Sequence, residues 1–164
     1  MIVTRRLTLV PPSDESIPKM VEWLNDPDVT RYSEQRHQKH SIPFQKIYIG
    51  MMTRPHKYME IRTDNTIIGT ITAHVDPYND VADVGIMIGE KNLWGKGYGA
   101  EAWQAFCDYL LGNGIRKVEC GCMSINFGMK HICRKTGMNY EGRRFAHFLV
   151  GEDTVDMLYF GRFQ

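Results

Sequence analysis

Between residues 81 and 111 the chain passes from an apolar, β-branched run, through a loop punctuated by glycines, into an amphipathic stretch. Few folds accommodate that passage. Val81 to Ile88 reads as a strand, while Ala100 to Leu111 sets Trp103, Phe106, Cys107, Leu110 and Leu111 at helical spacing. Between them, Gly95, Gly97 and Gly99 carry no side chain to block a close ligand, so backbone N–H groups at the helix start can converge on an anion. The helix dipole adds to that attraction. Strand, glycine loop and helix in this order predict a pyrophosphate cradle. A Walker loop is excluded because Lys96 is followed by Gly97 and not by Ser or Thr. The dinucleotide fingerprint Gly-x-Gly-x-x-Gly fits poorly as well, since this loop reads Gly-x-Gly-x-Gly and opens halfway along the chain.

The remaining segments read as an α/β order in one domain spanning residues 1–164. Leu7 to Val10 is a strand, and Ser13-Asp-Glu-Ser caps a helix running through Met20, Val21 and Leu24 to the break at Asp26-Pro27. Ser41, with Pro43 just inside, starts a second helix that ends at Arg54-Pro55. Tyr58 to Arg62 and Thr66 to Val75 flank Thr63-Asp64-Asn65, a hairpin by its turn chemistry. Gly112-Asn-Gly114 closes the glycine-loop helix. A strand from Lys117 to Met123, a helix over about Gly128 to Thr136 and a hairpin from Tyr140 to Arg162 complete the order.

A net charge of +1 speaks against a nucleic-acid partner, which would need clustered cationic excess. No run approaches the roughly 20 apolar residues of a membrane helix. Met1-Ile-Val-Thr-Arg-Arg leads into a strand-like segment and not a signal-peptide core, so the expected location is the cytoplasm.

Trp94-Gly-Lys-Gly-Tyr-Gly99, placed after a strand, resembles the acyl-CoA-binding loop of the GNAT N-acetyltransferases, whose pattern is Arg/Gln-x-x-Gly-x-Gly/Ala. Trp94 stands where most members carry Arg or Gln. An aromatic followed by Gly-Lys-Gly-Tyr resembles the branch that acetylates ribosomal-protein N-termini and small amines. Asn126, Gly137, Met138, Glu141 and Gly142 resemble the family's second block, and Gly151 to Phe160 its closing hairpin. The resemblance implies a central mixed, mostly antiparallel sheet flanked by helices. It also implies acetyl-CoA as acyl donor, with no metal. Trp94, Gly95, Lys96, Gly97, Tyr98, Gly99 and Ala100 would then hold the pyrophosphate. Ile86, Met87 and Ile88 would pair with the pantetheine arm and supply an oxyanion donor, and Asn126 would hold the arm from the other side while also serving as a helix cap.

A thioester is already electrophilic, so positioning an amine against it does much of the work. The ammonium must still lose a proton. Asp83 sits at the offset before the loop where members with a carboxylate on this strand carry Glu, and is the expected base, with His74 and Glu119 in reserve. Cys133 occupies the position where many members place a Tyr, and reads as a small helix-face residue. Cys120, Cys122, His131 and Cys133 could form a zinc set, but His131 and Cys133 lie two apart on a helix and point to opposite sides, so no metal is expected.

Arg31 to His40 is rich in cations and hydrogen-bonding groups, and Arg31, Arg36 and His37 are the expected acceptor contacts. Trp23-Leu-Asn-Asp-Pro-Asp-Val29 together with Glu34-Gln-Arg-His37 resembles members associated with surface-polysaccharide and nucleotide-linked amino-sugar acetylation. The expected function is therefore acetyl transfer to a primary amine of a small molecule by direct attack in a ternary complex. A protein N-terminus as acceptor, or a non-catalytic CoA-binding module, are the rivals; a membrane partner is not expected, and a homodimer is compatible with the sequence.

Overall fold

The computed structural model describes residues 1–164. One sheet of eight strands runs through the molecule: β1 (Ile2–Val3), β2 (Thr8–Val10), β3 (Lys57–Thr63), β4 (Thr66–Asp76), β5 (Val81–Ile88), β6 (Lys117–Met123), β7 (Asn139–Val150) and β8 (Asp153–Phe163). The spatial order is β1-β2-β3-β4-β5-β6-β8-β7, so the last hairpin enters with β8 inside and β7 at the edge. The helices are α1 (Ile17–Leu24), α2 (Pro27–Thr30), α3 (Ile42–Met51), α4 (Tyr98–Leu111) and α5 (Phe127–Lys135). None is long and apolar enough to cross a membrane.

Every neighbouring pair is antiparallel except β5 and β6, which α4 joins by a crossover. Their parallel pairing lasts only three steps, Val81↔Lys117, Ala82↔Val118 and Asp83↔Glu119. Beyond Asp83 the strands part, because each is held along its length by its outer neighbour: β5 by β4 from Val81 to Ile88, and β6 by β8 from Lys117 to Met123. A slot opens between them.

Strand alternation sorts the sheet into two faces. Leu9, Ile61, Ile71, Ala73, Ala82, Val84, Val118 and Cys120 point to one side, where Trp103, Phe106, Cys107, Leu110 and Leu111 of α4 complete the buried core. The other face carries α1 and α3 over β3 and β4, and leaves the floor of β5 and β6 open. Trp23 of α1 lies flat against Gly89, where a Cβ would run into its indole.

Most predicted boundaries lie within two residues of those observed. Asp64 and Asn65 take φ of 47° and 62°, the geometry of a tight hairpin turn. Ser41 Oγ accepts from Phe44 N at 3.4 Å as the cap of α3. One local expectation is corrected. Ser13 does not cap a helix: its backbone N and its Oγ both turn to Glu60, at 2.6 and 3.2 Å, and residues 14–16 form a 3-10 turn ahead of α1. Gly112 ends α4 at φ −70°, and the left-handed residue comes two later, at Gly114 with φ +96°. A carboxylate buried in the sheet outcompetes the local cap at Ser13.

Glu60 is fully buried, and its other oxygen accepts from Arg62 Nε at 2.6 Å while Arg62 Nη2 reaches Ser16 Oγ at 3.0 Å. The pair ties the start of α1 to β3. Glu60→Ala should cost about 3 kcal/mol, the low end for breaking a buried pair because Arg62 retains some solvent. A denaturant titration should show the midpoint falling with little change in slope.

Candidate active site

The loop after β5 is shaped by three glycines with different tasks. Gly95 and Gly97 have φ of +74° and +84°, which side chains rarely tolerate, and Gly97 is the N-cap of α4. A Cβ on Gly97 would stand 3.4 Å from Arg6 Nη2 and 3.9 Å from Lys135 Nζ, so the glycine leaves a hollow bordered by two cations. At Gly99 a Cβ would lie 3.1 Å from Ile132 Cδ1, so this glycine lets α4 pack closely on α5. Trp94 Nε1 donates to the Ile88 carbonyl at 2.7 Å, folding the loop back onto the end of β5. Arg6 braces it from outside: Nε bonds Glu101 at 2.7 Å, Nη1 bonds the Lys96 carbonyl at 3.0 Å, and the guanidinium lies 4.2 Å from the Tyr98 ring centre. Ala100 is buried in the first turn of α4.

From this loop the slot runs down between β5 and β6. Val84 to Ile88 have no strand partner on the β6 side, so their backbone polar groups there remain to be satisfied. Ile86 pairs with Ile71 and Met87 with Thr70, which places Ile86 on the α4 face and Met87 on the open one. Asn126 stands across the slot as the cap of α5, its Oδ1 accepting from Met129 N at 3.0 Å. Its amide nitrogen is left for another partner.

Where the slot closes, three titratable side chains share the open face on adjacent strands: His74 opposite Asp83, and Asp83 opposite Glu119. Desolvation by the surrounding sheet, reinforced by the negative charge of Glu119 and opposed by His74, pushes the Asp83 carboxyl above the ordinary carboxylate range. Glu119 is itself paired with Lys117 Nζ at 3.0 Å, which also meets Glu141 at 2.6 Å. A 430 Å³ depression adjoins the row.

A second hollow of 670 Å³ lies between the α1–α2 region and the tip of the β7–β8 hairpin. Arg31, Arg36, His37 and Lys39 line it beside Tyr32, Ile125 and Leu149, and no carboxylate does. Arg36 is already committed: Nη2 donates to the Leu149 carbonyl at 3.0 Å and Nη1 to Ser33 O and Glu34 at 2.9 and 2.7 Å. It joins the two walls of the hollow. His37 lies 3.7 Å from Glu34, whereas Arg31 stacks on Tyr32 at 5.2 Å and has no carboxylate partner. Cys133 is sealed in the core with its Sγ 3.7 Å from Cys120 Sγ, His131 is exposed, and no three His, Cys, Asp or Glu side chains converge as a metal set.

Arg6 and Lys135 are the residues that sequence reasoning missed. Nothing local marks them, since they lie about 90 and about 40 residues from the loop they border and reach it only through the register of the fold.

A family model described as an acetyltransferase (GNAT) domain matches residues 6–139. No curated protein sequence matches the chain. Among solved structures, the chain is similar to RimL, a ribosomal L7/L12 alpha-N-protein acetyltransferase in complex with coenzyme A (16% identity, TM-score 0.87, 98% of this chain and 96% of that one). It is also similar to the microcin C7 self-immunity acetyltransferase MccE in complex with acetyl-CoA and AMP (15%, 0.84, 98% and 94%). A GNAT-family acetyltransferase from Bacillus anthracis is a third such structure (19%, 0.84, 99% and 97%). At these identities the likeness establishes the fold.

Because the native state raises the Asp83 pKa, the folded protein binds that proton more tightly than the unfolded chain. The charged form therefore costs stability above the raised value, and the cost vanishes as pH falls through it to below the ordinary value for Asp, about 3.9. Asp83→Asn should raise the thermal midpoint at neutral pH, with the gain shrinking on acidification. Melting curves across that range check the sign.

Proposed function

The chain belongs to the GNAT acetyltransferase family, and on that premise we propose that it moves acetyl from acetyl-CoA to the primary amine of an anionic small molecule, such as a nucleotide-linked amino sugar. The observation that carries the acceptor is the 670 Å³ hollow, lined by four basic side chains and no carboxylate, with Arg31 and Lys39 free of carboxylate partners. The AMP bound by MccE is in keeping with a nucleotide-bearing acceptor.

The glycine loop fits the donor. The amides at the start of α4, with Arg6 and Lys135 beside Gly97, would receive the pyrophosphate. The open edge of Val84 to Ile88 would pair with the pantetheine amides and offer an N–H to the acyl oxygen as charge develops there. Asp83, at the closed end of the slot, takes a proton from the acceptor ammonium, with His74 as the alternative base. The amine nitrogen then bonds to the acyl carbon as the carbon–sulfur bond breaks, and the thiolate leaves with a proton.

Acetyl-CoA and a panel of amines, followed by thiol release, test the reading directly: turnover of anionic amino sugars is expected, and turnover of N-terminal peptides alone would replace that acceptor. Arg31→Ala should raise the acceptor KM about tenfold while leaving acetyl-CoA affinity unchanged, as loss of a charge-assisted contact does. Added salt should weaken the wild-type acceptor, and weaken the variant less, since Lys39 still faces the hollow. Gly97→Val should weaken acetyl-CoA binding at least tenfold, about 1.4 kcal/mol, in a variant whose circular dichroism is native.

A further inference from the structure

We infer that Tyr48 of α3 is a positioning residue for the acceptor-side proton transfer, its hydroxyl holding the His74 imidazole beside Asp83. The inference rests on the acetyl-transfer reading above and extends it to a residue outside the slot.

Two protons must travel away from the acceptor nitrogen. An ammonium that becomes an amide loses two protons from nitrogen, one before the new bond forms and one after, while the thiolate takes up one and the other goes to solvent. Asp83 can hold only one at a time. The next group along the row is His74, directly opposite it across β4 and β5.

His74 is constrained from three sides. Tyr48 Oη lies 3.5 Å from His74 Nε2. The Tyr48 ring cannot swing freely, because it packs edge-on against Tyr58 at 6.0 Å, and the Tyr58 hydroxyl is itself held by Gln45 Nε2 at 3.0 Å in buried surroundings. On the β3 side, the pairing Lys57↔Ala73 continued by one residue sets His56 opposite His74, with ring centres 5.7 Å apart. His56 Nδ1 accepts from Val75 N at 3.0 Å, which fixes that ring and the backbone next to His74. The charged or titratable groups facing His74 are thus Tyr48 from α3, His56 from the β3 side and Asp83 from β5. Glu119 lies beyond Asp83, and Asp76 two residues along the same strand.

Burial pushes the Tyr48 phenol up, so near neutrality it is an O–H donor. Donating to Nε2 assigns the neutral His74 its proton on Nδ1. When Nε2 takes up a proton, the same hydroxyl turns to accept, so one fixed group serves both states of the imidazole.

Tyr48→Phe keeps the ring and its packing and removes only the hydroxyl. In ¹⁵N spectra of the imidazoles at mildly alkaline pH, His74 should be mainly Nδ1–H in the wild type and shift toward Nε2–H in Tyr48→Phe. Acceptor turnover should fall about tenfold, the worth of one hydrogen bond, with acetyl-CoA affinity and melting temperature unchanged, and the loss should vanish in a His74→Gln background. An unchanged His74 tautomer, or an equal loss of rate in the His74→Gln background, overturns the assignment. Should the wild type bind acetyl-CoA yet turn over no amine, the acetyl-transfer reading fails, and the tautomer measurement still decides the Tyr48 contact by itself.

Discussion

The site depends on two strands that cannot stay together. β5 and β6 are parallel for three residues and then diverge, because antiparallel neighbours on their outer sides hold each of them to its full length. Elsewhere in the sheet a backbone N–H or carbonyl finds its partner one strand away. Along Val84 to Ile88 that economy is broken on one edge, and the groups left over are aligned and rigid. An extended ligand with amides of its own can complete the missing ladder. The glycine loop lies at the open end of the slot and the titratable row at the closed end, so one irregularity in strand pairing sets the distance between the loop and the Asp83 carboxyl.

The parts of this arrangement that were legible in the sequence are those encoded locally. The strand from Val81 to Ile88, the glycine spacing and the amphipathic helix are consecutive in the chain, and each constrains the next. Asp83 could be singled out by its offset from the loop and by strand alternation. His74 and Glu119 could be named as its reserves on neighbouring strands, but that the three stand directly opposite one another is fixed only by pairing register across three strands. Arg36 makes the same point. Within its own segment it reads as a free cation, yet its guanidinium is held by a carbonyl 113 residues away, and it serves as a tie between walls. At Ser13 local preference pointed to a cap, and a buried carboxylate from β3 claimed the same groups.

Trp94 shows how a departure from a family pattern can be absorbed structurally. In place of a charged or amide side chain, its indole N–H bonds the Ile88 carbonyl at the end of β5. The loop is thereby tethered to the strand that precedes it, while the two cations beside it, Arg6 and Lys135, come from distant parts of the chain. The charge beside the loop and the contact that shapes it are carried by different residues.

The order of the last two strands bears on how such a molecule is made. β8 inserts between β6 and β7, so β6 has no outer neighbour until Asp153–Phe163 has left the ribosome. Before then, β3 to β5 can assemble through short-range antiparallel hairpins, while β6 has only its three-residue parallel pairing, a slower kind of contact to establish. One wall of the slot can thus form before Asp153–Phe163 is made and the other only afterwards, so a nascent chain stalled before residue 153 would present an apolar sheet edge to chaperones and no finished site.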